Sequence, residues 1–202
     1  MSDSRPVILF AHGAGAGSSS EWMMAWARRL GDLGHVRPFD YPYMQRGSKA
    51  PDRLPKLIEA HRVQLAEVRA AHPGQPVVLA GKSMGSRVGC HLALEEEVAG
   101  LICLGYPLKG MGKSGKVRDE VLVALRTPVL FVQGTRDTMG PLDLFESVRG
   151  RMRARNELHV VETGNHSLII TKTHTRQTGV TQDQSDAAIL DAVGGFMESV
   201  RS

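Results

Sequence analysis

Pro76-Val77-Val78-Leu79-Ala80-Gly81-Lys82-Ser83-Met84-Gly85 joins a short apolar run, a turn of small residues and the start of a helical pattern. The run has the length and β-branched content of a strand buried on both faces. A helix is expected from Met84 to about Glu96. Between the two, Gly81-Lys82-Ser83-Met84-Gly85 has the spacing G-x-S-x-G. A serine on a sharp strand-to-helix turn is lifted to the top of a sheet with its hydroxyl exposed. Backbone crowding at such a turn admits only small residues two positions to either side. The helix N-terminus that follows favours developing negative charge. This context makes Ser83 a candidate nucleophile; the bland alternative is a tight structural turn.

Outward from this stretch, strand and helix patterns alternate along the chain. Strands are expected at residues 7–11, 36–39, 77–80, 100–104, 129–133 and 158–161. Helices are expected near residues 21–30, 55–71, 84–96, 116–125, 142–152 and 185–200. Ser18 and Glu21 have capping-box spacing at the first helix, and Trp22, Trp26 and Leu30 recur along one of its faces. Pro38 marks its strand as an edge strand, where a missing N–H is tolerated. Such alternation implies an α/β fold: a doubly wound, mostly parallel sheet of about six strands with helices on both faces, in one domain spanning residues 1–202. Ligands of such sheets bind beyond the carboxyl ends of the strands.

A serine nucleophile needs a base, and the base an orienting carboxylate. Asp137 follows strand 129–133 in Gly134-Thr135-Arg136-Asp137, and His166 follows strand 158–161 in Thr163-Gly164-Asn165-His166. Both loops leave the same sheet edge as Ser83, which makes Asp137 the expected acid and His166 the expected base. His174, in the polar run 171–181, is the rival base; His159 lies inside a strand pattern, and Asp143, the rival acid, inside a helix. Oxyanion donors are expected from the backbone N–H of Met84 and from the loop Ala11-His12-Gly13-Ala14-Gly15-Ala16-Gly17, with Ala14 first and Gly15 second. His12 reads as a brace for that loop. Gly13, Gly15, Tyr106 and Lys82 are candidate substrate contacts.

With these pieces assembled, the chain resembles the α/β-hydrolase superfamily from end to end. The landmarks are Phe10-Ala11-His12-Gly13, Gly81-Lys82-Ser83-Met84-Gly85, Gln133-Gly134-Thr135-Arg136-Asp137 and Gly164-Asn165-His166, in that order. It looks like the compact, dienelactone-hydrolase-like branch. Ala11–Met23, Gly81–Arg87 and Gly105-Tyr106-Pro107-Leu108 are similar to hydrolases related to a regulatory subunit of the NSL acetyltransferase complex. The resemblance implies a serine hydrolase acting on an ester or thioester through an acyl-enzyme. Two departures are noted. The family's first two strands are expected to be absent, and about 23 residues between Leu104 and Pro128 leave no room for an inserted cap.

Composition narrows the remaining classes. The chain has 202 residues, 42% apolar and 23% charged, with a formal net charge of +4, which suits a globular core and argues against disorder. No apolar run has the length of a membrane span, and no signal peptide is legible. Two cysteines, Cys90 and Cys103, form no framework, so a cytoplasmic location is the expectation. A small-molecule acyl substrate is expected, with no nucleic-acid partner and no membrane; the oligomeric state is open. Neither metal nor organic cofactor is called for. Gly110-Met111-Gly112-Lys113-Ser114 resembles the end of a phosphate-binding loop, but Pro107 stands where its first glycine belongs. Gly13-Ala14-Gly15 likewise lacks the third glycine of a dinucleotide site. Lys109, Lys113 and Lys116 form a basic loop that faces either an anionic substrate or solvent. The alternative to an enzyme is a hydrolase-shaped interaction protein that does not catalyse.

Overall fold

The computed structural model describes residues 5–110 and 117–200. Six strands form one sheet: β1 (Val7–Ala11), β2 (His35–Phe39), β3 (Val77–Lys82), β4 (Gly100–Leu104), β5 (Val129–Gly134) and β6 (Asn156–Val161). Their order is β2-β1-β3-β4-β5-β6, and every pairing is parallel. Pro38 does lie on an edge strand, opposite Phe10. The chain runs first from β1 to β2 and then back past β1 to β3, so winding reverses between β1 and β3. Loops leaving the carboxyl ends of those two strands diverge there, which opens a crevice at the switch point.

Alternate residues of each strand enter opposite cores. In β3, Val77 and Leu79 join one cluster while Val78 and Ala80 join the other. In β1, Val7, Leu9 and Ala11 face the first cluster, and Ile8 and Phe10 the second. Both faces therefore need a helical cover. On one side lie α3 (Leu54–Ala71), α4 (Met84–Leu92), α5 (Glu120–Ala124) and α6 (Leu142–Arg149), contributing Leu57, Leu65, Val88, Leu122 and Phe145. On the other lie α1 (Glu21–Leu30) and α8 (Gln182–Ser199), contributing Trp26, Leu30, Ile189, Val193 and Phe196. No cap domain stands over the sheet among the described residues.

Two short helices are additions to the sequence reading: α2 (Pro42–Gln45) and α7 (Lys172–Thr178). No residue of α7 is buried, so it offers no apolar period to read; its start is held by the Thr171 side chain, which accepts from the His174 N–H. Three expectations are corrected. The cap of α1 is Ser20, not Ser18, whose N–H donates to Asp40 Oδ1 at 2.6 Å. The helix after Ser83 ends at Leu92, short of Glu96. Of the helix expected over 116–125, Lys116 lies outside the described residues, and among the others only Glu120–Ala124 is helical. A capping box does occur in the molecule, between Thr181 and Gln184 at the start of α8.

Candidate active site

Ser83 sits between β3 and α4 with φ 50° and ψ −110°. This backbone conformation is strained for a residue with a side chain, by roughly 1–3 kcal/mol. Packing on both sides enforces it. A Cβ at Gly81 would fall 2.2 Å from Ser86 N, and one at Gly85 would fall 2.4 Å from Ala11 O. Only glycine lets α4 press this closely onto β1 and β3. The Ser83 N–H donates to Leu104 O at 3.1 Å, which ties the turn to β4.

Three side chains distant in sequence meet here. Ser83 Oγ lies 2.8 Å from His166 Nε2, and His166 Nδ1 lies 2.7 Å from Asp137 Oδ2. A carboxylate beside Nδ1 assigns the proton to that nitrogen and leaves Nε2 as an acceptor for the serine hydroxyl. Asp137 is itself fully held. Its Oδ1 accepts the Met139 N–H at 2.9 Å, and its Oδ2 also accepts from Gln133 Nε2 at 2.6 Å. Gln133, buried at the end of β5, further accepts the Tyr106 N–H at 3.1 Å and donates to Gly140 O at 3.2 Å. The sequence reading missed Gln133; a polar residue ending an otherwise apolar strand, four positions before the acid, was its signal.

The rival residues lie elsewhere. His159 on β6 and His174 on α7 face a different groove, outside the edge strand, shared with Val160 and Thr178. Asp143 is in the first turn of α6. His12 is fully buried: Nδ1 donates to Gly13 O at 2.7 Å and Nε2 accepts the Tyr41 N–H at 3.1 Å. Burial lowers its pKa, and the two backbone partners fix a neutral tautomer. It braces the loop after β1.

A groove of about 590 Å³ opens beside Ser83 and His166. Gly13, Ala14, Gly15 and Lys82 line it, as does Trp22, which is only half-buried although Trp26 and Leu30 on the same helix face are covered. Trp22 Nε1 donates to Ser167 O at 3.0 Å, and Lys82 Nζ donates to His166 O while lying 5.1 Å above the Trp22 ring. Burial pushes the Lys82 ammonium down to about 8, against the opposing attraction of Asp137. Lys82 and Trp22 thus clamp the main chain of residues 166–167. Among the described residues, the Met84 and Ala14 N–H groups make no backbone hydrogen bond in turns, loops or caps. Tyr106 is a correction: it is completely buried, edge-on to Phe131 and Phe145, and does not line the groove. Lys109 is described and half-buried, whereas Met111, Lys113, Ser114 and Lys116 fall outside the described residues. No group of three or more potential metal ligands occurs among the described residues, and no described helix is long and apolar enough to cross a membrane.

Solved structures share this architecture. An α/β serine hydrolase homologue from Coxiella burnetii superposes with a TM-score of 0.68 at 20% identity, covering 80% of this chain and 77% of that one. A lidless α/β serine hydrolase from Xanthomonas campestris gives 0.66 at 18% identity, covering 98% and 82%. A dienelactone hydrolase from Anabaena variabilis gives 0.66 at 17% identity, covering 92% and 86%. At such identities the likeness concerns the fold. The α/β-hydrolase domain model matches residues 4–198, nearly the whole sequence, and the chain therefore belongs to the α/β-hydrolase family.

Proposed function

We propose that the protein is a serine hydrolase that cleaves a carboxylic ester or thioester through an acyl-Ser83 intermediate. The observation that carries this reading is the unbroken hydrogen-bonded line from Ser83 Oγ through His166 to Asp137, at 2.8 Å and 2.7 Å. Ser83 Oγ attacks the carbonyl carbon while His166 Nε2 takes its proton. Asp137 keeps the imidazole in the reactive tautomer and stabilises its cationic form. The Met84 and Ala14 amides receive the oxyanion. The leaving alkoxide or thiolate departs with the proton from His166. Water then attacks the acyl carbon, His166 again serving as base, and the carboxylic acid leaves. The groove bounded by Trp22, Met23 and Met139 supplies an apolar wall for one arm of the substrate.

The test is p-nitrophenyl acetate turnover by Ser83→Ala and His166→Ala, with circular dichroism to verify folding. Each variant is expected to lose about 10³-fold or more in kcat. Retained turnover in a folded Ser83→Ala protein refutes the proposal.

A further inference from the structure

Ser83 borders a second cleft, of about 250 Å³, whose lining does not include Trp22. Two arginines stand in its wall from different elements. Arg87 is one helical turn beyond Ser83 on α4, and Arg118 precedes α5, its own N–H fixed to Leu108 O at 2.8 Å. The same two residues, with His91 and Glu120, also line an outer cleft. Arg87 Nε is buried without a hydrogen-bond partner. Among the described residues neither guanidinium forms an ion pair, in contrast to Arg46, Arg62, Arg69, Arg149, Arg151 and Arg155. Burial, and after it the neighbouring charge of Arg118, depress the Arg87 pKa. Among the described residues the one carboxylate lining the inner cleft, Asp52, is already bound by Arg46 at 3.1 Å and Lys56 at 3.0 Å.

Two half-buried cations held together, one with an unused donor, are costly unless something anionic joins them. We propose that the inner cleft is an anion subsite in which Arg87 and Arg118 bind a carboxylate carried by the substrate itself. This rests on the hydrolase reading and narrows it: the preferred substrate is a monoester or monothioester of a short dicarboxylic acid, its free carboxylate in the cleft and its ester carbonyl at Ser83. The forked donors of guanidinium suit a planar carboxylate. A cleft of this size accepts a carboxylate and a few methylenes. Trp22 and its groove then receive the leaving alcohol or thiol.

The experiment compares p-nitrophenyl hemiglutarate with p-nitrophenyl valerate, its uncharged counterpart of equal acyl length. The wild-type protein is expected to favour the hemiester in kcat/KM by about tenfold or more, as loss of a charge-assisted pair implies. Arg118→Gln and Arg87→Gln should erase that preference through KM while leaving valerate turnover within about twofold, and Arg87→Lys should restore part of it. Equal kcat/KM for the two esters in the wild type, or an equal loss on both esters in Arg118→Gln, overturns the subsite. Glutarate binding to Ser83→Ala, followed by calorimetry, separates the two claims. Binding that disappears in Ser83→Ala/Arg118→Gln upholds the subsite even if no ester turns over. Absence of binding together with turnover of both esters at equal rates overturns the subsite and leaves the hydrolase.

Discussion

Two histidine-centred networks are built into this fold, and they differ in access. Around His12 and His61 everything is closed: both are fully buried, Tyr41 bridges them by offering its N–H to His12 and its hydroxyl, at 3.2 Å, to His61 Nδ1, and the rings of Phe39, Tyr41 and Tyr43 pack edge-on or tilted around them. Around His166 one side is open: its side chain is 28% exposed while its Asp137 partner is 0% exposed. The closed network fixes the loop after β1 and the packing of α3. The other runs outward from the buried Asp137 carboxyl through the His166 imidazole to the Ser83 hydroxyl. Burial therefore shuts one set of histidines away from solvent and leaves the other in contact with it.

That contrast can be broken experimentally at several strengths. The largest effect is expected from Asp137→Asn, which keeps the shape but offers His166 the wrong tautomeric partner; esterase kcat should fall by about 10⁴-fold. A drop under tenfold would show that His166 does not depend on its buried acid. Next is Gln133→Leu, which removes one donor to Asp137 and the support of the Tyr106 amide. Here kcat should fall by about 10-fold with little change in KM, since the carboxylate is loosened and the groove is not. A pure KM effect would assign Gln133 to substrate binding instead.

The smallest effect concerns the closed network and should spare activity. Burial pushes the His61 imidazole down from its ordinary 6.5 to about 3. Between these values the unfolded chain binds a proton that the folded chain does not, so the stability this residue contributes is intact above pH 6.5 and is lost as pH falls toward 3. Urea midpoints measured from pH 7 to pH 4 should decline less steeply in His61→Gln, which keeps a partner for Tyr41 but does not titrate. Identical slopes would show that His61 is not held neutral.

Much of this was legible in the sequence because it depends on period and order. The four inner strands follow from short apolar runs, and the edge position of β2 follows from Pro38. Ser83, Asp137 and His166 could be singled out because each lies just past a strand's carboxyl end. The convergence of their side chains could not, since it depends on the strand order and on how closely Gly81 and Gly85 let α4 approach the sheet. Tyr106 was misread because a tyrosine after a strand looks the same in sequence whether its ring turns toward the crevice or into Phe131 and Phe145. Arg87 and Arg118 escaped notice for the converse reason. They lie 31 positions apart and line one cleft only because the fold brings α4 beside the segment leading into α5.

The central claim is that His166 makes the Ser83 hydroxyl a nucleophile, and covalent labelling tests it without any assumption about the natural substrate. The protein is treated with a fluorophosphonate and its intact mass followed in the wild type, Ser83→Ala and His166→Ala. The account predicts one adduct per chain, located on Ser83, absent from Ser83→Ala and slowed by orders of magnitude in His166→Ala. Labelling of the His166→Ala protein at the wild-type rate, or a folded wild type that takes up no probe, would contradict it.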